Sequence, residues 1–197
     1  LITIECIDEI AALHGIGDKV AAITAAAMRG EIDFRASLAR RVALLAGLPV
    51  EALARVYDER LRLSPGVARL LDALRAIGAK TLLVSGGFTY FTDRLQSRLG
   101  IDCTPSNGLE IAGARLTGRI VGDIVDADAK ARRFAQLANE LRGADGLAVA
   151  IGDGANDRPM LDVADVSIAY RAMPLVRAQA MHAIDHCGLD GVLNLFN

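Results

Sequence analysis

The chain has only three cysteines in 197 residues, and Cys6, Cys103 and Cys187 are scattered, with no CxxC pair. That argues against a disulfide framework or a zinc site and favours a reducing compartment. An excess of charge of one sign is also missing. The 22 basic and 24 acidic residues leave a formal net charge of −2, which provides no footprint for nucleic acid or an anionic membrane. No apolar run reaches membrane-spanning length, and the opening LITIECIDEI lacks a basic region and places Glu5, Asp8 and Glu9 where a signal peptide is apolar. There is no internal repeat, and the only biased tract is the Ala-rich stretch 21–27, read as tightly packed helix. What remains is a cytoplasmic protein with a small-molecule partner, no nucleic acid and no membrane, its oligomeric state, homodimer included, left open. A hydrophobic content of 52% is enough to bury a core, as one domain or one domain carrying an insertion.

The chain is organised around residues 147–160, LAVAIGDGANDRPM. Five apolar residues, 147–151, suit a strand buried on both faces. Gly152-Asp153-Gly154-Ala155-Asn156-Asp157 follows, so two carboxylates and an amide crowd the strand's C-terminal end, the edge where open α/β sheets take ligands. Oxygen-only donors suit a hard cation such as Mg²⁺, which takes one or two carboxylates and completes its shell with water and phosphate. The same residues are also ordinary vocabulary for a solvated turn.

Ahead of this stretch, residues 5–60 carry apolar stripes at helical spacing with Gly or Pro punctuation, which predicts four short helices. After Pro65-Gly66 the spacing predicts a helix at 67–76, a strand at 79–84 and a helix at 88–99, then a polar break at 105–108. An antiparallel ribbon is expected over 109–125, turning at 112–114, and a helix over 128–142 with Phe134, Leu137, Ala138 and Leu141 inward. Beyond Met160 come a strand at 166–170, a helix at 174–180, a strand at 182–185 and a last helix from Leu189. The alternation implies an α/β fold with a parallel sheet and helices on both faces.

Other residues carry chemistry. Ser85-Gly86-Gly87 ends a strand and precedes a helix, as an anion-binding loop or a plain turn would. Lys130 stands in a helix's first turn, against the macrodipole, which suits a phosphate ligand or a surface lysine balanced by Asp126 and Asp128. Glu5 and Arg41 could grip the ammonium and carboxylate of a zwitterion, or form an ordinary solvated pair. Met28 and Phe34 suit packing as well as specificity. The three histidines share no strand-end position with the acids and are read as structural.

Taken together, VSGGFTYF at 84–91, Lys130 and IGDGANDRPM at 151–160 resemble the second, third and fourth motifs of the haloacid dehalogenase superfamily. The segments 5–9, 27–30 and 37–42 narrow the resemblance to the branch that hydrolyses O-phosphoserine, the last step of serine biosynthesis. The resemblance implies a Rossmann-like core, residues 63–197, with a small helical cap at residues 3–62 inserted after the first strand, and Mg²⁺-dependent hydrolysis. Carried over by position, Asp153 becomes a metal ligand, and Asp157 supports the metal shell and Lys130. Ser85 and Lys130 bind the phosphoryl oxygens, with Gly86, Gly87 and Asn156 completing the phosphate and substrate contacts. Glu5 takes the substrate ammonium and Arg41 its carboxylate, with Met28 and Phe34 closing over them. The family's first motif, a strand ending in DxDxT, belongs immediately before Leu1, and residues 1–4 hold no carboxylate. Its first Asp is the nucleophile that becomes an aspartyl-phosphate, and its second is the general acid and base. A polypeptide beginning at Leu1 is therefore expected to be inactive, while an inactive fragment, a non-catalytic phosphoamino-acid binder or a phosphotransferase to homoserine remain alternatives. The first strand should lie between 79–84 and 147–151, holding them about two strand spacings, roughly 9.6 Å, apart, with Leu1 emerging beside Asp153 and Ser85.

Overall fold

The computed structural model describes residues 1–141 and 146–196. Helices α1 (Cys6–Leu13), α2 (Gly17–Met28), α3 (Phe34–Ala43) and α4 (Glu51–Arg55) form the helical unit, and a π-helical turn, Val56–Arg60, extends α4. Helix α1 buries Cys6, Ile7, Ile10 and Ala11, one stripe at helical spacing, against Leu38, Val42 and Leu53. The Ala-rich helix α2 buries only Val20, so its alanines express helix propensity rather than tight packing. Asp33 caps α3 by accepting from the Ala36 N–H at 2.7 Å, which makes Phe34 the first helical residue.

The α/β part follows: α5 (Val67–Ala76), α6 (Thr89–Leu99), the ribbon β1 (Gly108–Ala112) and β2 (Arg115–Val121), α7 (Ala127–Leu141), β3 (Val149–Gly152), α8 (Arg158–Asp162), β4 (Val166–Tyr170), α9 (Pro174–Gln179) and β5 (His182–Ile184). Strands β3, β4 and β5 pair in parallel in that order. The two chain crossings between the parts run side by side, with Ile2 bridging Leu63, Thr3 N–H bonding the Arg62 carbonyl and Ser64 N–H the Leu1 carbonyl. The ribbon turns on Gly113-Ala114, both at positive φ, with Ala112 paired to Arg115. It is tied to the helical unit by Gly47 N–H to the Leu116 carbonyl, Leu116 N–H to Leu48 and Val50 N–H to Ala114. Gly118, at φ +82, lies where a Cβ would meet Ala46 Cβ at 2.9 Å, so only glycine lets the ribbon sit this close to the end of α3.

Three expectations need correction. The strand expected at 79–84 is a shorter ladder on one edge only: Leu82 bridges Cys103, and the N–H groups of Leu83 and Ser85 bond the carbonyls of Cys103 and Pro105. Among the described residues no backbone hydrogen bond joins this segment to β3, in keeping with an order that separates them. Leu141 is 51% exposed, because α7 runs on beyond the apolar cluster of Phe134, Ala150 and Met160; Arg142, expected at its end, lies outside the described residues. The last segment, Leu189–Leu195, is 3₁₀ rather than α-helical.

At the opposite, N-terminal end of the 79–84 segment, Asp102 accepts from Lys80 Nζ at 2.9 Å and from the Thr81 N–H and hydroxyl at 2.9 and 2.8 Å. The lysine bond first, then the two threonine bonds, pull its carboxyl down to about 2. A depressed carboxyl stabilises the fold above its unfolded value and loses that contribution as pH falls through the folded one. Asp102→Asn should therefore cost about 1 kcal/mol at neutral pH, allowing for screening of a partly exposed group. The gap between wild type and variant in denaturant titrations should hold down to about pH 4 and close towards about pH 2. A gap independent of pH would mean that Asp102 works by shape alone.

Candidate phosphate-binding site

The site grows from the end of β3. Gly152 closes the strand where a Cβ would stand 2.5 Å from Asp157 Cβ, so the glycine is what lets the following turn fold back on the strand. Asp157 is thereby buried, with 7% of its surface exposed. Its Oδ2 accepts from the N–H groups of Asp153 and Gly154 at 3.1 and 3.2 Å, and its Oδ1 from Lys130 Nζ at 2.8 Å. Lys130, 6% exposed, shares the inner face of α7 with Phe134 one turn on. Burial alone would raise the Asp157 carboxyl, but the Lys130 ammonium and the two backbone N–H groups outweigh it and hold it below the ordinary range. Asp153 goes the other way. Partial withdrawal from water, then the neighbouring Asp157 carboxylate, raise its carboxyl, although it still reaches solvent. Leu1 lies within the electrostatic reach of both acids.

Beside this edge, Ser85 Oγ accepts from Gly87 N–H at 3.0 Å, leaving the hydroxyl hydrogen to donate elsewhere. The N–H of Gly86 has no partner among the described residues. From the helical unit, the Phe34 ring comes within 3.2 Å of where a Gly86 Cβ would be. On the same face of α3, two turns from Phe34, Arg41 spends one N–H on the Ser37 carbonyl at 3.4 Å. Partial burial lowers the Arg41 pKa, opposed by Asp8 and Glu5. Glu5 is raised, first by desolvation and then by Asp8 and Asp153, with Arg41 and Lys130 acting against them. It occupies the N-cap position of α1 without capping it, and among the described residues its carboxylate has no hydrogen bond or ion pair. Glu5 thus stands in the field of both Arg41 in the helical unit and Lys130 and Asp153 at the sheet edge. Asn156 is exposed next to Gly154, and Met28, 77% exposed at the end of α2, contacts none of these groups closely enough to be covered.

Two contributors escape a reading of the sequence. Asp126, considered above only as a counter-charge for Lys130, instead caps α7 by accepting from the Ala129 N–H at 2.9 Å and pairs with Arg35 of α3 at 2.6 Å. Asn107, in a stretch that reads as a polar break, is fully buried. Its only sequence signal is the Asn-Gly dipeptide, which says turn and nothing about a site. Among the described residues no three acids, histidines or cysteines gather as a metal cluster, and no helix is long and apolar enough to cross a membrane.

A buried Lys–Asp pair stands at the C-terminal end of a parallel strand, the edge where open α/β sheets take ligands, and the 85–87 loop adds a serine hydroxyl and a backbone N–H that has no partner among the described residues. Residues 5–162 match the family model of the haloacid dehalogenase-like hydrolases. A phosphoserine phosphatase of Polaromonas sp. (strain JS666 / ATCC BAA-500) is 53% identical over 99% of this chain and 85% of its own length. One from Idiomarina loihiensis is 48% identical over 98% and 87%. A substrate-bound phosphoserine phosphatase complex superposes with a TM-score of 0.89 at 32% identity, covering 99% of this chain and 92% of that one. The chain belongs to the haloacid dehalogenase-like hydrolases and, within them, to the phosphoserine phosphatase family.

Proposed function

We propose that this chain supplies the cap and core of an enzyme that, when joined to a strand carrying DxDxT, hydrolyses O-phospho-L-serine to L-serine and phosphate, with residues 3–62 acting as a substrate-recognising cap over the 63–197 core. The observation that carries the reading is the buried Lys130–Asp157 pair at 2.8 Å, with Glu5, unpaired among the described residues, within the electrostatic reach of both Lys130 and Arg41, whose guanidinium spends one N–H on the Ser37 carbonyl. Asp157 takes one of the three Lys130 ammonium hydrogens and is itself held by two backbone N–H groups, so it anchors Lys130 and leaves the other two ammonium hydrogens for phosphoryl oxygens. Together with the Ser85 hydroxyl and the Gly86 N–H they neutralise charge in a transfer that depends mainly on positioning and electrostatics. Glu5 accepts from the substrate ammonium, Arg41 donates to its carboxylate, and Phe34 closes over Gly86 to exclude water.

The chemistry at Asp153 suits Mg²⁺: a hard carboxylate partly withdrawn from water beside the Asp157 carboxylate, a pair of acids rather than a three-ligand cluster among the described residues, for a cation that takes one or two carboxylates and fills its shell with water and phosphate. Asp153 would hold the ion, with Asp157 supporting it, and the bound cation supplies further neutralisation of the phosphoryl group. The attacking carboxylate belongs to the DxDxT motif, which residues 1–197 do not contain. Phosphate release from phosphoserine tests the reading. A polypeptide starting at Leu1 should be inactive, and one carrying a strand and DxDxT ahead of Leu1 should turn over through an acid-stable, base-labile acyl phosphate. Turnover by residues 1–197 alone would overturn the assignment of the nucleophile.

A further inference from the structure

Asn107 has no exposed surface and sits between the two elements that carry the phosphate ligands. Its side-chain amide donates from Nδ2 to the Gly86 carbonyl at 2.8 Å and accepts at Oδ1 from the Val125 N–H at 2.8 Å. Its backbone completes the bridge, with Asn107 N–H on the Gly87 carbonyl and Thr89 N–H on the Asn107 carbonyl. The Gly86 carbonyl and the Gly87 N–H belong to one peptide group, and that N–H is the donor to Ser85 Oγ. The peptide is therefore held at both ends, by Asn107 on its oxygen and by Ser85 on its hydrogen. Such a chain polarises cooperatively and points the remaining Ser85 O–H away from the backbone. On the other side, Val125 is followed by Asp126, whose side chain caps α7 and whose carbonyl receives the Lys130 N–H at 2.9 Å. One buried amide thus fixes the position of the Ser85 loop against the start of the Lys130 helix.

We infer that Asn107 is the positioning residue that sets Ser85 and Lys130 to converge on one phosphoryl group. This rests on the proposed reading of Ser85 and Lys130 as phosphate ligands. Asn107 touches no substrate and acts through the Gly86–Gly87 peptide and through Val125. Aspartate at 107 would be nearly isosteric and could still accept from Val125, but as a carboxylate it has no N–H for Gly86.

The test uses the polypeptide carrying the DxDxT motif, with phosphoserine and phosphoethanolamine as substrates and inorganic phosphate as inhibitor, below the melting temperature of each variant. Asn107→Asp and Asn107→Ala should each lower kcat and weaken inhibition by phosphate by roughly tenfold, the scale of one lost orienting hydrogen bond. The preference for phosphoserine over phosphoethanolamine should not change. Adding Asn107→Asp to Ser85→Ala should cost much less than Asn107→Asp alone, because the two residues act in series. A lowered Tm with unchanged kcat and phosphate inhibition, or effects that simply multiply with Ser85→Ala, would overturn the inference while the functional reading stood. Failure of phosphate to inhibit the unsubstituted polypeptide would overturn both.

Discussion

Lys130→Ala in the motif-bearing polypeptide is expected to cut kcat/KM by roughly 100- to 1000-fold, the range seen when one donor to developing charge is removed. The loss should be the same for phosphoserine and for phosphoethanolamine, since the ammonium serves the phosphoryl group they share. Stability should fall too, by about 3–5 kcal/mol, because Asp157 is left buried without its cation. The pH dependence has a definite sign. In the wild type the depressed Asp157 carboxyl contributes above its unfolded pKa and loses that contribution as pH falls through the folded value. In the variant only the two backbone N–H groups oppose burial, which shifts the balance towards the protonated acid, so the stability gap should be widest at neutral pH and narrow in acid. Lys130→Met combined with Asp157→Asn should recover stability without activity, since it removes the whole pair instead of one partner. Substantial turnover by either variant would remove Lys130 from the phosphate site.

Arg41→Ala should separate recognition from chemistry. Its guanidinium makes one long bond, 3.4 Å to the Ser37 carbonyl, so most of the fork is available to grip a carboxylate bidentately. The expected loss is about 100-fold in kcat/KM for phosphoserine, and little for phosphoethanolamine, which keeps the ammonium but lacks the carboxylate. Equal losses on both would make Arg41 a structural residue of α3.

What could be read in advance divides by sequence separation. Lys130 and the 151–160 stretch were legible because a buried strand ending abruptly in acids, and a cation against a helix dipole, are local contradictions of ordinary grammar. The ribbon was legible for the same local reason, its turn lying at Gly113-Ala114. Asn107 was not, because its amide reaches partners 21 and 18 residues away, at Gly86 and Val125. Arg35 was further out of reach, since Asp126 is 91 residues distant and a surface arginine carries no mark of its partner. The 79–84 segment shows the limit from the other side. Its apolar run does lie extended, but the length of a ladder depends on the neighbour, and the neighbour at 103–105 is short.

The bonds between the ribbon and the 47–50 turn bear on how the molecule could open. A lid on two antiparallel hinge segments would be free to swing about the 2–3 and 62–64 crossings alone. Here a third leg stands under it: three backbone hydrogen bonds and the Arg115 guanidinium on the Gly47 carbonyl join lid to ribbon, and Gly118 leaves no slack between them. Breaking that leg would forfeit several hydrogen bonds at about 0.5–1.5 kcal/mol each, so the ribbon should travel with the lid as one rigid arm. The flexing then moves to the ribbon's own feet, and one of these is Asn107 and the other runs into Val125. Any rocking of the arm would be delivered at the two points that the buried amide spans, so with residues 3–62 as the proposed lid and Ser85 and Lys130 as the proposed phosphate ligands, opening and release should be coupled as a single mechanical event.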